Sequence, residues 1–152
     1  MYAPNPALVA RSIVTTRVFD APRELVYRMW TEPEHLVKWW GPTGFSVTME
    51  EMDVRPGGQW RFVMHGPDGR DFPNHSVYVD VVPLERLVYE HKAPHFIATA
   101  VFEAEGARTR VTLDMVFETA ELREHIATQF HAVEGAQQTF DRLGAQLAAQ
   151  SR

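Results

Sequence analysis

Between Phe45 and Phe117 the chain alternates apolar and polar residues with a period of two, broken at intervals by turn residues. Phe45, Val47 and Met49 form the first apolar set, and Arg55-Pro56-Gly57-Gly58 ends it. Trp60, Phe62 and Met64 follow, closed by the hairpin loop Gly66-Pro67-Asp68-Gly69. Val77, Val79 and Val81 alternate with Ser76, Tyr78 and Asp80 as far as Pro83. Leu87, Tyr89 and His91 share the next face, then Phe96, Ala98, Ala100 and Phe102 as far as Gly106, then Val111, Leu113, Met115 and Phe117. Successive strand side chains point to opposite faces. Six short strands joined by tight turns therefore predict an antiparallel sheet with one buried face. Arg61, Tyr78 and Glu90 fall on the outward side of this alternation.

The flanks have a helical period. Ser12 to Phe19 is rich in β-branched residues and reads as a first strand. Asp20 is a suitable N-cap with Pro22 in the first turn, and Leu25, Val26, Met29 and Trp30 follow helical spacing. Thr31 and Pro33 start a second short helix that carries Leu36, Val37, Trp39 and Trp40 and stops at Gly41-Pro42. From about residue 120 to 150 one amphipathic stripe runs through Leu122, Ile126, Phe130, Val133, Phe140, Leu143 and Leu147. It predicts a single helix of about 28 residues and about 42 Å. Gly135 and Gly144 within it imply close packing or a bend.

With 152 residues the chain is one domain by size. Residues 1–9, with two prolines, read as a flexible arm, and 10–152 as a single domain. A net charge of −5 with interleaved signs argues against a nucleic-acid partner. No apolar run reaches the ~18 residues of a membrane span. The absence of cysteine excludes disulfides and thiolate metal sites and fits a reducing cytoplasm. No secretory signal is evident in the first residues.

Five segments carry a family resemblance: RVFDAPRELVYRMWTEPEHLVKWWGP (17–42), DVRPGGQWRFVMHGPDG (53–69), VVPLERLVYEH (81–91), GARTRVTLDMVF (106–117) and EGAQQTFDRLGAQL (134–147). The chain resembles the START-like (SRPBCC) superfamily, and more narrowly the bacterial domains similar to the activator of the heat-shock protein 90 ATPase. The resemblance implies an α+β helix-grip fold. In it a curved antiparallel sheet wraps around a long C-terminal helix, with two short helices after the first strand and often an apolar cavity between sheet and helix. It also implies a choice of roles: hydrophobic ligand binding, chaperone association, or cyclase/hydratase-type catalysis with a pocket His or Tyr. Members often carry Gly where this chain has Ser76.

The expected ligand-binding set is Trp39, Trp40, Trp60, Phe62, Met64, Val79, Tyr89, His91, Phe102, Met115, Phe130 and Phe140. Aromatic and Met side chains of this kind line apolar ligand sites, and they also fill solid cores. Trp39 and Trp40 stand about 100° apart on a helix, so one ring is expected in the core and one at a cavity rim. His91 and Tyr89 are the inward groups able to orient a ligand oxygen or pass a proton. His91 and His95 lie across the Ala93-Pro94 turn with no adjacent carboxylate evident, and no metal is called for. No nucleophile elbow, phosphate loop or dinucleotide fingerprint occurs, and no cofactor is implied. An edge strand or the aromatic rim could support a homodimer.

Overall fold

A computed structural model describes residues 2–150. Seven antiparallel strands form one sheet: β1 (Ser12–Phe19), β2 (Ser46–Met52), β3 (Gln59–His65), β4 (Asp71–Val82), β5 (Arg86–His91), β6 (Phe96–Glu105) and β7 (Arg108–Phe117). Their order is β1-β7-β6-β5-β4-β3-β2, so β2 to β7 form a meander and β1 closes on β7. Helices α1 (Arg23–Thr31) and α2 (Pro33–Leu36) carry the chain from one edge strand to the other. Helices α3 (Ala120–Gln129) and α4 (Ala132–Gln150) follow the sheet. No helix among the described residues is long and apolar enough to cross a membrane.

The concave face is filled at one end. Phe19, Trp30, Trp39, Phe102, Val111, Phe140, Leu143 and Leu147 are all buried there. Trp30 is the hub, with edge-on contacts to Trp39 at 5.0 Å, Trp40 at 5.5 Å and Phe102 at 5.6 Å. Edge-to-face pairs at these distances add to the burial of large rings.

Three local expectations change. The helical stripe after residue 120 is two helices, with the break at Phe130 and His131, where His131 has φ +51°. Neither glycine causes it: a Cβ at Gly135 or Gly144 would meet only ordinary contacts, 3.6 Å from Pro42 and 3.8 Å from Phe19. The inward phase of β4 is the second change. Ser76 and Tyr78 are buried, whereas Val79 is 53% exposed. The register with β5 shifts between Tyr78 and Asp80, and this bulge gives β4 an extra residue. A one-residue shift exchanges the two faces, so Tyr78 points in and Val79 points out. The caps differ as well. Pro22 and Glu32 occupy the N-cap positions of α1 and α2. Thr31 instead ends α1, its hydroxyl donating back to the Tyr27 carbonyl at 3.0 Å.

The first residues carry structure of their own. Pro6–Arg11 form a 3-10 helix capped by Asn5. The Tyr2 hydroxyl donates to Asp114 on the outer face of β7 at 2.5 Å. Met1 lies outside the described residues.

The turn before β3 depends on glycine. A Cβ on Gly58 would sit 1.9 Å from the Asp53 carbonyl oxygen. Its neighbours bond to β4: Gly57 N–H donates to the Tyr78 carbonyl at 2.7 Å, and Tyr78 N–H to the Gly58 carbonyl at 3.0 Å.

Candidate functional site

The other end of the concave face is not filled. A pocket of about 490 Å³ lies between the sheet and the α3–α4 joint. Its floor is Trp60, Phe62 and Met64 of β3, Phe72, Asn74 and Ser76 of β4, Tyr89 and His91 of β5, Phe96 of β6, and Leu113, Met115 and Phe117 of β7. Ile126 and Phe130 of α3 and Gly135, Ala136, Thr139 and Phe140 of α4 face them. Trp40, Gly41, Pro42 and Phe45 close one side.

Trp40, Trp60, Phe62, Met64, Tyr89, His91, Met115, Phe130 and Phe140 all line this pocket. Phe130 does so at the joint, with 61% of its surface exposed. Three other expected residues lie elsewhere. Val79 is on the outer face because of the β4 bulge. Phe102 is sealed in the filled end against Tyr27 at 5.3 Å and Trp30. Trp39 is fully buried there too, and its indole N–H donates to the Met29 carbonyl at 3.0 Å. That carbonyl needs a donor: its helical partner would be residue 33, and Pro33 has no N–H. Trp39 therefore completes the end of α1, while Trp40 stands edge-on to Trp60 at 5.1 Å in the pocket wall.

Residues that the sequence pattern did not single out hold the Trp40–Pro42 corner. Arg142 of α4 donates from Nη1 to the carbonyls of Trp40 (3.2 Å), Gly41 (2.9 Å) and Pro42 (3.2 Å). Burial lowers its pKa. Gly41 has φ +98°, and a Cβ there would sit 2.9 Å from Met64 Cε, so only glycine suits this corner. The sequence signal for the corner was Gly41-Pro42; for Arg142 there was none.

The polar groups of the pocket are few. His91 stacks on Phe96 with ring centroids 4.6 Å apart. Its Nδ1 lies 2.8 Å from the Pro94 carbonyl and its Nε2 2.9 Å from Asn74 Oδ1. Asn74 in turn donates from Nδ2 to the Phe72 carbonyl at 2.9 Å. A doubly protonated ring satisfies both oxygens at once. Burial favours the neutral ring and lowers the pKa of His91. The neutral ring keeps its donation to Pro94, and its bare Nε2 is satisfied only if the Asn74 amide turns over. Both ring nitrogens of His91 thus lie against protein groups, Pro94 and Asn74. Burial raises the pKa of the Tyr89 phenol, so it stays a neutral hydroxyl.

His95 does not face His91. It lies between two carboxylates, with Nε2 2.8 Å from Glu90 and Nδ1 2.9 Å from Glu118. These neighbours come from β5 and from the residue just after β7, which adjacency in sequence does not reveal.

A curved seven-stranded antiparallel sheet with a long C-terminal helix across its concave face is the helix-grip fold, α+β in class. The family model described as "Activator of Hsp90 ATPase homolog 1-like protein" matches residues 20–148, and the chain belongs to that family. Among solved structures, a protein of Nitrosomonas europaea is 29% identical, with a TM-score of 0.84 over 93% of this chain and 97% of that one. A protein of Arthrobacter aurescens is 25% identical, with a TM-score of 0.87 over 93% and 88% of the two chains. A protein of Silicibacter pomeroyi named for the same family is 20% identical, with a TM-score of 0.76 over 91% and 99%, and shows the shared fold alone. Among curated proteins there is no match.

Proposed function

We propose that this protein binds a hydrophobic small molecule in the pocket between the sheet and the α3–α4 joint. The observation that carries the reading is the lining: about 490 Å³ bounded by aromatic, Met and aliphatic side chains from five strands and both C-terminal helices. Pockets of ~300–1,000 Å³ with a few polar groups are the usual form of small-molecule sites. Each 100 Å² of apolar ligand surface removed from water contributes about 2.5 kcal/mol, so apolar contact supplies most of the affinity. Among the described residues His91 is hydrogen-bonded to Pro94 and Asn74 and not to the neighbouring Ser76 hydroxyl, so the reading is binding and not turnover.

A neutral fluorescent probe, 1-aminoanthracene, tests this. It is expected to bind one-to-one, with affinity lowered by Ala136→Trp, which fills the space from α4, and by Trp40→Ala, which removes a wall. Absence of binding at about 100 μM, or binding that neither variant changes, overturns the proposal.

A further inference from the structure

Trp60 and Ser76 are direct cross-strand partners on β3 and β4, and Ser76 is in turn the partner of His91 on β5. All three line the pocket floor. His91 has both ring nitrogens bonded within the protein. Its two neighbours do not. Trp60 is 2% exposed and Ser76 1% exposed, yet Trp60 Nε1 and Ser76 Oγ have no hydrogen-bond partner among the described residues. More than ~90% of buried polar groups in folded proteins are hydrogen-bonded, and an indole N–H can only donate. Two orphaned donors thus belong to cross-strand partners on one face of the sheet, where a single acceptor could serve both.

The charges on the lining limit what that acceptor can be. Among the described residues the pocket is bounded by one carboxylate, Asp71, and by no Lys or Arg. An anionic head group would lose its hydration and meet no cation there. An uncharged oxygen has no such penalty.

We propose that the pocket selects an uncharged, ring-sized apolar molecule carrying a carbonyl-type oxygen, which accepts from Ser76 Oγ–H and Trp60 Nε1–H. This rests on the binding reading above and adds the class of ligand. Both donors are sealed from solvent in the fold, so neither gives up a water when the oxygen arrives. Because both donors are sealed, seating it requires packed side chains to shift, and Trp40, edge-on to Trp60, is one that the oxygen would displace. Ser76 then has a role that a glycine at this position could not supply.

Three probes of nearly one shape test it by calorimetry: 2-ethylnaphthalene, 2-acetylnaphthalene and 2-naphthoate. The ketone is expected to bind about tenfold tighter than the hydrocarbon, the size of one or two net hydrogen bonds, and tighter than the acid. Ser76→Ala deletes one donor and nearly keeps the shape; Trp60→Phe deletes the other and also shrinks the ring. Each is expected to reduce the ketone-to-hydrocarbon affinity ratio at least threefold, a ratio in which a general loss of apolar contact cancels. Ser76→Ala is also expected to leave the stability of the free protein unchanged or higher, because an unpaired buried group is removed. If the hydrocarbon binds but the ketone gains nothing, or its gain survives both substitutions, or the acid binds tightest, the inference fails and the binding reading stands. A loss of stability in Ser76→Ala without a change in preference shows a donor satisfied by bound water and also overturns it. If no probe binds, the binding reading falls as well.

Discussion

Replacing Trp39 with Phe separates the two adjacent tryptophans by energy. The substitution keeps a ring and deletes the N–H that donates to the Met29 carbonyl at 3.0 Å. No other donor can reach that carbonyl through the helix, because Pro33 stands at the position that would supply it. Leaving a buried carbonyl unpaired costs about 1–3 kcal/mol. The smaller ring also gives up roughly 50 Å² of apolar contact, about 1.2 kcal/mol at 25 cal/mol per Å². Together these predict a loss of about 3 kcal/mol. At ~2–4 °C per kcal/mol for a chain of this size, the melting temperature falls by about 6–12 °C. Urea denaturation followed by far-ultraviolet circular dichroism measures it, since the backbone dominates that signal. Trp40→Phe is the control: it removes no such bond and is expected to cost about 1 kcal/mol or less. A Trp39→Phe loss below about 1 kcal/mol, or one no larger than the control's, would refute the claim that Trp39 completes α1.

Further outcomes follow from other contacts. Gly58→Ala places a Cβ against the Asp53 carbonyl at 1.9 Å and is expected to cost about 3 kcal/mol through forced backbone movement, read as a lower urea midpoint. Thr119→Ala removes the side-chain oxygen that accepts from Leu122 N–H at 3.0 Å; it should cost about 1 kcal/mol and raise hydrogen exchange in α3 first. Burial lowers the His91 pKa below its ordinary value of 6.5, with His75 and His95 adding to the effect and the Pro94 carbonyl opposing it. The unfolded chain then holds more protons on this ring than the folded one. The stability from the neutral ring is complete above about pH 6.5 and is lost as pH falls through the folded pKa. Denaturation at pH 7.5 and 5.5 should show that loss, and His91→Phe should flatten the difference.

The fold was legible where one physical signal acted alone. The alternation in β3, β5 and β7 placed Trp60, Tyr89 and Leu113 inward because an unbroken pleat keeps its phase. It misplaced Tyr78 and Val79 because the β4 bulge adds a residue within a run of strand-forming side chains, and no residue type there marks it. The terminal helix was read as continuous for a similar reason: its break falls at Phe130 and His131, with no Gly or Pro beside it. The candidate site was legible as a set of inward rings but not as a boundary. Whether Phe102 packs a core or faces a pocket depends on where α1 lies across the sheet, and a period-two pattern does not contain that. Arg142 and the His95 carboxylates join elements distant in sequence, so only tertiary structure brings them together.

The strand order also sets an order of assembly. Strands β2 to β7 are joined by short turns, so each hairpin closes a small loop at low entropic cost. β1 is different: Ser12 pairs with Val116 and Phe19 with Thr109, and nearly the whole meander lies between them. Loop closure over that span comes after the hairpins have formed. Phe19 packs against Phe140 of α4 at 5.6 Å, so docking of the last helix waits on the same step. Folding kinetics of conservative variants should give low φ-values in β1 and α4 and higher ones in the β5–β6 hairpin. The N-terminal strand, made first, is the last piece of the sheet to find its place.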